Sequence, residues 1–325
     1  SKRLEMTDLL VKLLKETPRD LVDKVVYLTQ GKLYPDYVGI ELGMAEKLAE
    51  KAISFATGRS EAEVESVYKR TGDLGLTAQE MLKKRTQYTL MKKQLTVETV
   101  YETFDKIAHA TGDGSVDAKI KLLSSLLSDA NPQEAKFVAR MALGKLRVGV
   151  ADMTILDALA IAYAGGKEFK ELFERAYNLS SDLGYVARVV ASHGIDGVKD
   201  FKISVGRPIR PMLCERLSSA EEILSKLQGK GSAEYKYDGL RIQAHVSKKK
   251  IQLFSRRLEN ITSQFPDVAD SVRTATTVEQ AILEGECVAV DPNTGDMLPF
   301  QVVSQRRGRK YEIETMAEEV PVTVF

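Results

Sequence analysis

Lys236 lies in the string Ala233-Glu234-Tyr235-Lys236-Tyr237-Asp238-Gly239-Leu240-Arg241. Alternation along an extended segment puts Glu234 and Lys236 on one face and Ala233, Tyr235 and Tyr237 on the other, so a carboxylate and an amine look into one space. Asp238-Gly239 has the chemistry of a tight reversal, because glycine accepts positive φ at little steric cost. The spacing predicts a strand over 233–238 and a second over 240–247. The second would show Arg241, Gln243 and His245 on one face and Leu240, Ile242, Ala244 and Val246 on the other. A lysine so placed can attack a phosphorus centre and hold the captured group as a phosphoramidate. An ammonium cannot attack, so burial, the guanidiniums of Arg241 and Arg256 and a bound metal are what would favour the free amine. The same cations would stabilise charge on a pentavalent phosphorus. Taken alone, the string fits an exposed hairpin tip equally well.

Further strings narrow the choice. Phe254-Ser255-Arg256-Arg257-Leu258-Glu259-Asn260-Ile261-Thr262 follows the lysine, then Ile282-Leu283-Glu284-Gly285-Glu286-Cys287-Val288-Ala289-Val290-Asp291, then Pro299-Phe300-Gln301. The first string resembles the Lys-x-Asp-Gly-x-Arg motif of ATP-dependent DNA ligases and their capping-enzyme relatives. The others are similar to that family's Ser-Arg motif, its glutamate-bearing strand and the segment that follows, in the same order. The resemblance implies that Lys236 is the catalytic residue and takes AMP from ATP, with Mg²⁺ as the metal. It implies that Glu234 contacts the adenine, Arg241 and Arg256 the ribose or phosphates, and Glu286 the ribose or a metal. Asp238 and Gly239 would support the lysine loop. Without the resemblance, Arg256-Arg257 reads as a solvated pair, and Glu284 with Glu286 as the outer face of an edge strand. No Gly-x-x-x-x-Gly-Lys-Ser/Thr string and no Gly-x-Gly-x-x-Gly fingerprint occurs, so neither a P-loop nor a Rossmann turn would hold the nucleotide. His109, His193 and His245 are too scattered for a metal cluster and read as surface or half-buried side chains.

The elements that must position these residues differ between the two halves. Up to about residue 195 apolar residues recur at helical spacing, as in Val97, Val100, Tyr101, Phe104, Ile107 and Ala108. Ser60 with Glu63, Thr96, and Asn131 before Pro132 are helix-start signals. Helices are expected over 117–128, 133–143, 153–163, 167–177 and 182–192, and no strand. Gly206-Arg207-Pro208-Ile209-Arg210-Pro211 reads as a linker, since two prolines force extended backbone. Beyond it a helix near 220–227, strands near 240–247, 250–255, 281–291 and 320–325, and a helix near 264–274 make an α+β, mainly antiparallel unit. The expectation is a multidomain α and α+β chain. An all-helical domain spans 1–198, a linker 199–212, and a nucleotidyltransferase (adenylation) domain 213–325. The last is expected to be cut short on its C-terminal side, because the chain stops at Phe325 within an apolar strand pattern.

The helical half resembles the DNA-binding domain of archaeal and eukaryotic replicative ligases in Thr71-Gly72-Asp73-Leu74-Gly75 and in Leu143-Gly144-Lys145-Leu146-Arg147-Val148-Gly149-Val150. The resemblance implies a grip on nicked double-stranded DNA. Free N–H groups at glycine-flanked helix ends suit phosphates, and Arg147 adds a charge there; these glycines equally suit plain helix ends. Lys83, Lys84 and Arg85 begin a series of basic runs continued by Lys92-Lys93, Lys248-Lys249-Lys250 and Arg306-Arg307-Gly308-Arg309-Lys310, which together would make a phosphate track. The stretch Gln87–Met91 lies where archaeal ligases carry a loop for the sliding clamp.

A net charge of +1, from 47 basic and 46 acidic residues, excludes no class of partner, so clustering decides. The two cysteines, Cys214 and Cys287, argue against a disulfide scaffold. No apolar stretch approaches ~18 residues and no signal-like leader is evident, so an intracellular, cytoplasmic location without a membrane span is expected. The whole reading is a DNA ligase (ATP) that seals nicks through a lysine–AMP and a DNA-adenylate intermediate in replication, repair and recombination, of which this piece alone would not complete the reaction. An RNA ligase or capping-type nucleotidyltransferase, and a non-catalytic DNA- or clamp-binding module, are the alternatives.

Overall fold

A computed structural model describes residues 2–85, 93–248, 250–309 and 311–325. The chain divides into two compact units, residues 1–177 with 182–201 and residues 178–181 with 202–325. Each is built on a different period of apolar residues.

The first unit contains α1 (Lys2–Glu16), α2 (Val22–Gln30), α3 (Glu46–Thr57), α4 (Glu61–Thr71), α5 (Leu74–Lys83), α6 (Val97–His109), α7 (Ser115–Asp129), α8 (Pro132–Ala142), α9 (Asp152–Leu159), most of α10 (Lys170–Ser180) and α11 (Leu183–Lys199). No strand occurs among its described residues. Local chemistry starts these helices where the sequence says. Ser60 and Glu63 exchange hydrogen bonds in a capping box, Thr96 accepts the Thr99 N–H, and Asn131 caps α8 with Pro132 in its first turn. The helix expected to end at Ser192 instead bends at Gly194 (φ 65°, ψ −163°) and runs on to Lys199. Only a residue without Cβ holds that backbone without strain. Phe104, Ile107, Leu123, Leu127, Ile53 and Val64 are fully buried in the largest core.

The second unit is an antiparallel sheet in the order β2-β1-β3-β4, with β1 (Leu240–Ser247), β2 (Lys250–Ser255), β3 (Gln280–Ala289) and β4 (Val322–Val324). The helices α12 (Ala220–Lys226), α13 (Pro266–Ala275), α14 (Phe300–Val303) and α15 (Ile313–Glu319) complete it. Leu240, Ile242, Ala244 and Val246 of β1 join Leu253, Phe265, Val268, Cys287 and Val303 in one core.

Three expectations fail here for physical reasons. Residues 233–238 form no strand; they run irregular into Asp238-Gly239, exposed except for half-buried Tyr237. A hairpin of 233–238 with 240–247 would need a free edge on β1, and β2 and β3 occupy both. His245 is neither a surface nor a half-buried side chain but is fully buried. Arg306, expected in a solvated basic run, has no exposed side-chain surface. Its fork grips Asp267, it donates to the backbone carbonyls of Gln264 and Val320, and it stacks 4.5 Å over the Phe265 ring. A guanidinium this deep is tolerated because a carboxylate neutralises it and carbonyls take further donors. Within the expected 199–212 linker, residues 202–211 fall in the second compact unit, and Pro208 is buried.

Gly75 lies inside α5, where a Cβ would come within 2.5 Å of the Lys136 carbonyl oxygen and 2.7 Å of Arg140 Cγ on α8. Backbone cannot step aside as a flexible side chain can. Gly75→Ala is expected to destabilise the helical unit by about 2 kcal/mol despite the better helix propensity of alanine. Urea unfolding followed by circular dichroism would read this as a lowered midpoint with unchanged slope.

Candidate functional site

β1 and β3 pair so that Arg241 faces Glu286 and Gln243 faces Glu284. The side-chain period of two puts all four on one face of the sheet, opposite the core. On that face opens a cleft of about 1120 Å³ lined among others by Glu234, Lys236, Gly239, Arg241, Arg256 and Glu286. The sequence-predicted set thus converges, with Asp238 beside it. The volume suits a nucleotide-sized ligand.

The lysine segment is seated by two contacts. The Asp238 carboxylate accepts the Phe300 N–H at 3.1 Å, which ties the segment to the start of α14. Gly239 approaches β3 so closely that a Cβ would lie 2.5 Å from the Cys287 carbonyl oxygen. Lys236 itself is exposed, not buried, and its Nζ lies 3.5 Å from the Tyr237 carbonyl oxygen. Glu234 is exposed as well.

Glu286 stands nearer the sheet. Burial holds its carboxyl above the usual carboxylate range, against the opposing pull of the Lys236 charge, the Gly239 N–H and the Arg241 charge. Arg241 is paired with Glu284, which also accepts the Gln243 amide at 2.6 Å. Arg256 and Arg257 project from a tight turn. There Ser255 Oγ accepts the N–H groups of Arg257 and Glu259 at 3.2 and 3.3 Å, and buried Leu258 is held at φ 67°. A leucine in the left-handed region is strained. Neither guanidinium has a hydrogen-bond or ion-pair partner among the described residues, whereas Arg307 on the same cleft is held by Glu259.

Sequence reasoning missed several of these groups. Glu284 and Gln243 were visible as neighbours of named residues, but their partnership required the strand register. Arg307 carried no signal beyond charge. Tyr237 and Phe325 stack at 4.3 Å between ring centroids on the cleft; they are far apart in sequence and nothing local joins them.

The DNA-binding candidates lie in the helical unit. Lys83 and Lys84 are exposed at the end of α5, where Lys84 pairs with Glu80 at 2.9 Å; Arg85 is half-buried. The two strings that suggested this role meet at Asp73. Its buried carboxylate caps α5 at the Leu76 N–H and receives Arg140 and Arg147 at 3.1 and 2.9 Å. Burial raises the Asp73 carboxyl, but Arg140, the Leu76 N–H and the charge of Arg147 together hold it below its ordinary range. The positive end of α5 is therefore occupied by the protein's own carboxylate instead of standing open for a phosphate. The Gln87–Met91 stretch falls outside the described residues. Among the described residues no group of three or more His, Cys, Asp or Glu could hold a metal ion, and no helix is long and apolar enough to cross a membrane.

Behind the cleft, the buried His245 accepts the Gly206 N–H at 2.8 Å. Burial lowers its pKa to about 4 from an ordinary 6.5. The folded state therefore refuses a proton that the unfolded chain takes up. Stability from this group is complete above about pH 6.5 and is lost as the pH falls to about 4, up to about 3 kcal/mol. Urea midpoints measured from pH 7 to 4.5 should fall less steeply in His245→Gln than in the unsubstituted chain.

Comparison with known proteins gives the family of the chain. Residues 1–160 match the family described as DNA ligase N terminus, and residues 211–325 match the ATP dependent DNA ligase domain. The chain is 53% identical to DNA ligase 2 of Thermofilum pendens over 332 residues, covering 100% of this chain and 55% of that protein. It is 51% identical to a DNA ligase of Staphylothermus marinus (99% and 56% covered) and 50% identical to one of Saccharolobus solfataricus (100% and 55% covered). The chain spans about half the length of the curated relatives it matches.

Proposed function

Because the chain belongs to the ATP-dependent DNA ligase family, we propose that it carries the nucleotide-capturing part of an enzyme that seals nicks in duplex DNA. Lys236 Nζ, as the free amine, attacks the α-phosphorus of ATP; the P–N bond forms as the bond to pyrophosphate breaks, and the amine proton leaves to solvent. The AMP then passes from the lysine to the 5′-phosphate at a nick, and the 3′-hydroxyl displaces it to close the backbone. Glu234 receives the adenine, Arg241 and Arg256 the ribose and phosphates. The observation that supports this reading is the convergence of Lys236, Glu234, Arg241, Arg256 and Glu286 on one cleft although they are spread over more than fifty positions of sequence.

A divalent cation fits the site in a limited way. With no three-ligand cluster among the described residues, a Mg²⁺ ion would be carried chiefly by the nucleotide's phosphates and water. Glu286 is the carboxylate that would gain from its charge, since burial disfavours its ionised form. Bound there, the ion would supply positive charge at the reacting phosphate.

In this reading residues 1–198 are the DNA-binding domain, 199–212 lead from it into the next and dock on that unit from residue 202, and 213–325 belong to the adenylation domain of a cytoplasmic protein. Lys83, Lys84, Arg85 and Arg147 are the candidate phosphate contacts, Arg147 in competition with Asp73.

Incubation with α-labelled ATP and Mg²⁺ followed by peptide mapping should place one adenylate on Lys236, and Lys236→Ala should remove it. A label on another side chain would defeat the assignment, and transfer to RNA ends in preference to nicked DNA would favour a capping-type or RNA ligase enzyme. On nicked DNA, Lys83→Ala and Lys84→Ala should each reduce the slope of log K against log salt by about 1. Titrations at several salt concentrations read this directly.

A further inference from the structure

The segment 204–211 and the cleft share one set of hydrogen bonds. Gly206 donates its N–H to His245 Nδ1 at 2.8 Å, so the ring proton sits on Nε2. That nitrogen lies 2.8 Å from Gln243 Oε1 and donates to it. The same oxygen accepts the Ile209 N–H at 2.7 Å. In the other direction the Gln243 amide nitrogen donates to the Ile209 carbonyl at 3.3 Å and to Glu284 Oε1 at 2.6 Å. The second Glu284 oxygen holds the Arg241 guanidinium. Both lone-pair sites of the Gln243 oxygen and both of its amide hydrogens are used, in a side chain only 6% exposed. Its rotamer is therefore over-determined.

Arg241 and Glu284 are both more than a third exposed, and a pair so wetted holds its own geometry weakly. What restrains Glu284 is the half-buried hydrogen bond from Gln243. We propose that Gln243 is a positioning residue for Arg241: it clamps the segment 204–211 and, through Glu284, sets the guanidinium on the cleft wall, so that docking of this segment and nucleotide binding share one equilibrium. The nucleotide half rests on the functional reading above; the coupling between Glu284 and the 204–211 backbone does not. Reciprocity follows, because anything that releases the segment weakens the ligand by the same factor by which the ligand protects the segment.

The test reads two quantities in the 325-residue chain, amide exchange at Gly206 and Ile209 and the affinity for ATP. Gln243→Met removes all the hydrogen bonds at similar length and is expected to speed exchange at Ile209 and to weaken ATP, each by about tenfold, the loss of one to two net hydrogen bonds. Gln243→Glu keeps the oxygen that receives Ile209 and His245 but sets a carboxylate against Glu284, so it should weaken ATP as much while disturbing Ile209 less. From the cleft side, Glu284→Leu should speed Ile209 exchange about threefold, a fraction of one hydrogen bond. Unchanged Ile209 exchange in Glu284→Leu, in a chain that melts normally, overturns the coupling. Unchanged ATP affinity in Gln243→Met overturns the positioning role. Coupled exchange in a chain that takes no adenylate on Lys236 supports the clamp and removes only the functional reading.

Discussion

β1 is bonded on both edges and buried along most of its length, and the groups of the cleft are placed relative to it. Its pairing with β3 sets Arg241 against Glu286 and Gln243 against Glu284, while the alternate residues Leu240, Ile242, Ala244 and Val246 anchor the core. A one-residue slip would send Arg241 and Gln243 into the core and the leucine and isoleucine to the cleft. The apolar face therefore enforces the register that the polar face uses. With both ladder edges taken, the lysine segment cannot pair with its neighbour in sequence. It is seated instead by the Asp238 contact with Phe300 and by the close approach of Gly239 to β3.

The arginines of the cleft and of the core behind it fall into two kinds. Arg306 is consumed inside the core by Asp267, Arg307 is held by Glu259, and Arg241 is held by Glu284. The charge of these guanidiniums is partly neutralised by a carboxylate partner. Arg256 and Arg257 project from a strained turn with no acid to meet them among the described residues. Their charge is available to an incoming anion at no cost in broken pairs, whereas Arg241 offers geometry more than free charge. The helical unit repeats the first arrangement at Asp73, where one buried carboxylate caps a helix and binds two arginines. What looks in sequence like an open anion site is there already satisfied.

The segment 204–211 shows how a stretch with linker composition acquires another role. It opens on a turn in which the Arg207 N–H reaches the Ser204 carbonyl at 3.2 Å, and Pro208 and Pro211 have no N–H to place. The N–H groups of Gly206 and Ile209 find acceptors on the side chains of His245 and Gln243. The polar face of β1, which a solvent-exposed sheet would turn to water, is thereby buried without an unsatisfied group on either side chain.

Sequence alone determined what depends on local chemistry and on period. Helix starts at Ser60, Thr96 and Asn131, the helical first half and the two faces of β1 all follow from neighbours a few positions apart, whose energetics are the same in any fold; the cleft residues are named through the resemblance of short strings to a known family. The missing strand at 233–238, the burial of His245 and Arg306, the partnership of Arg241 with Glu284 and the stacking of Tyr237 on Phe325 could not be read that way. Each is decided by which distant segment occupies an edge or covers a face, and a residue's own type leaves that open. An arginine in a basic run is soluble or buried according to whether a carboxylate some forty residues away meets it, and only the tertiary fold brings Asp267 to Arg306.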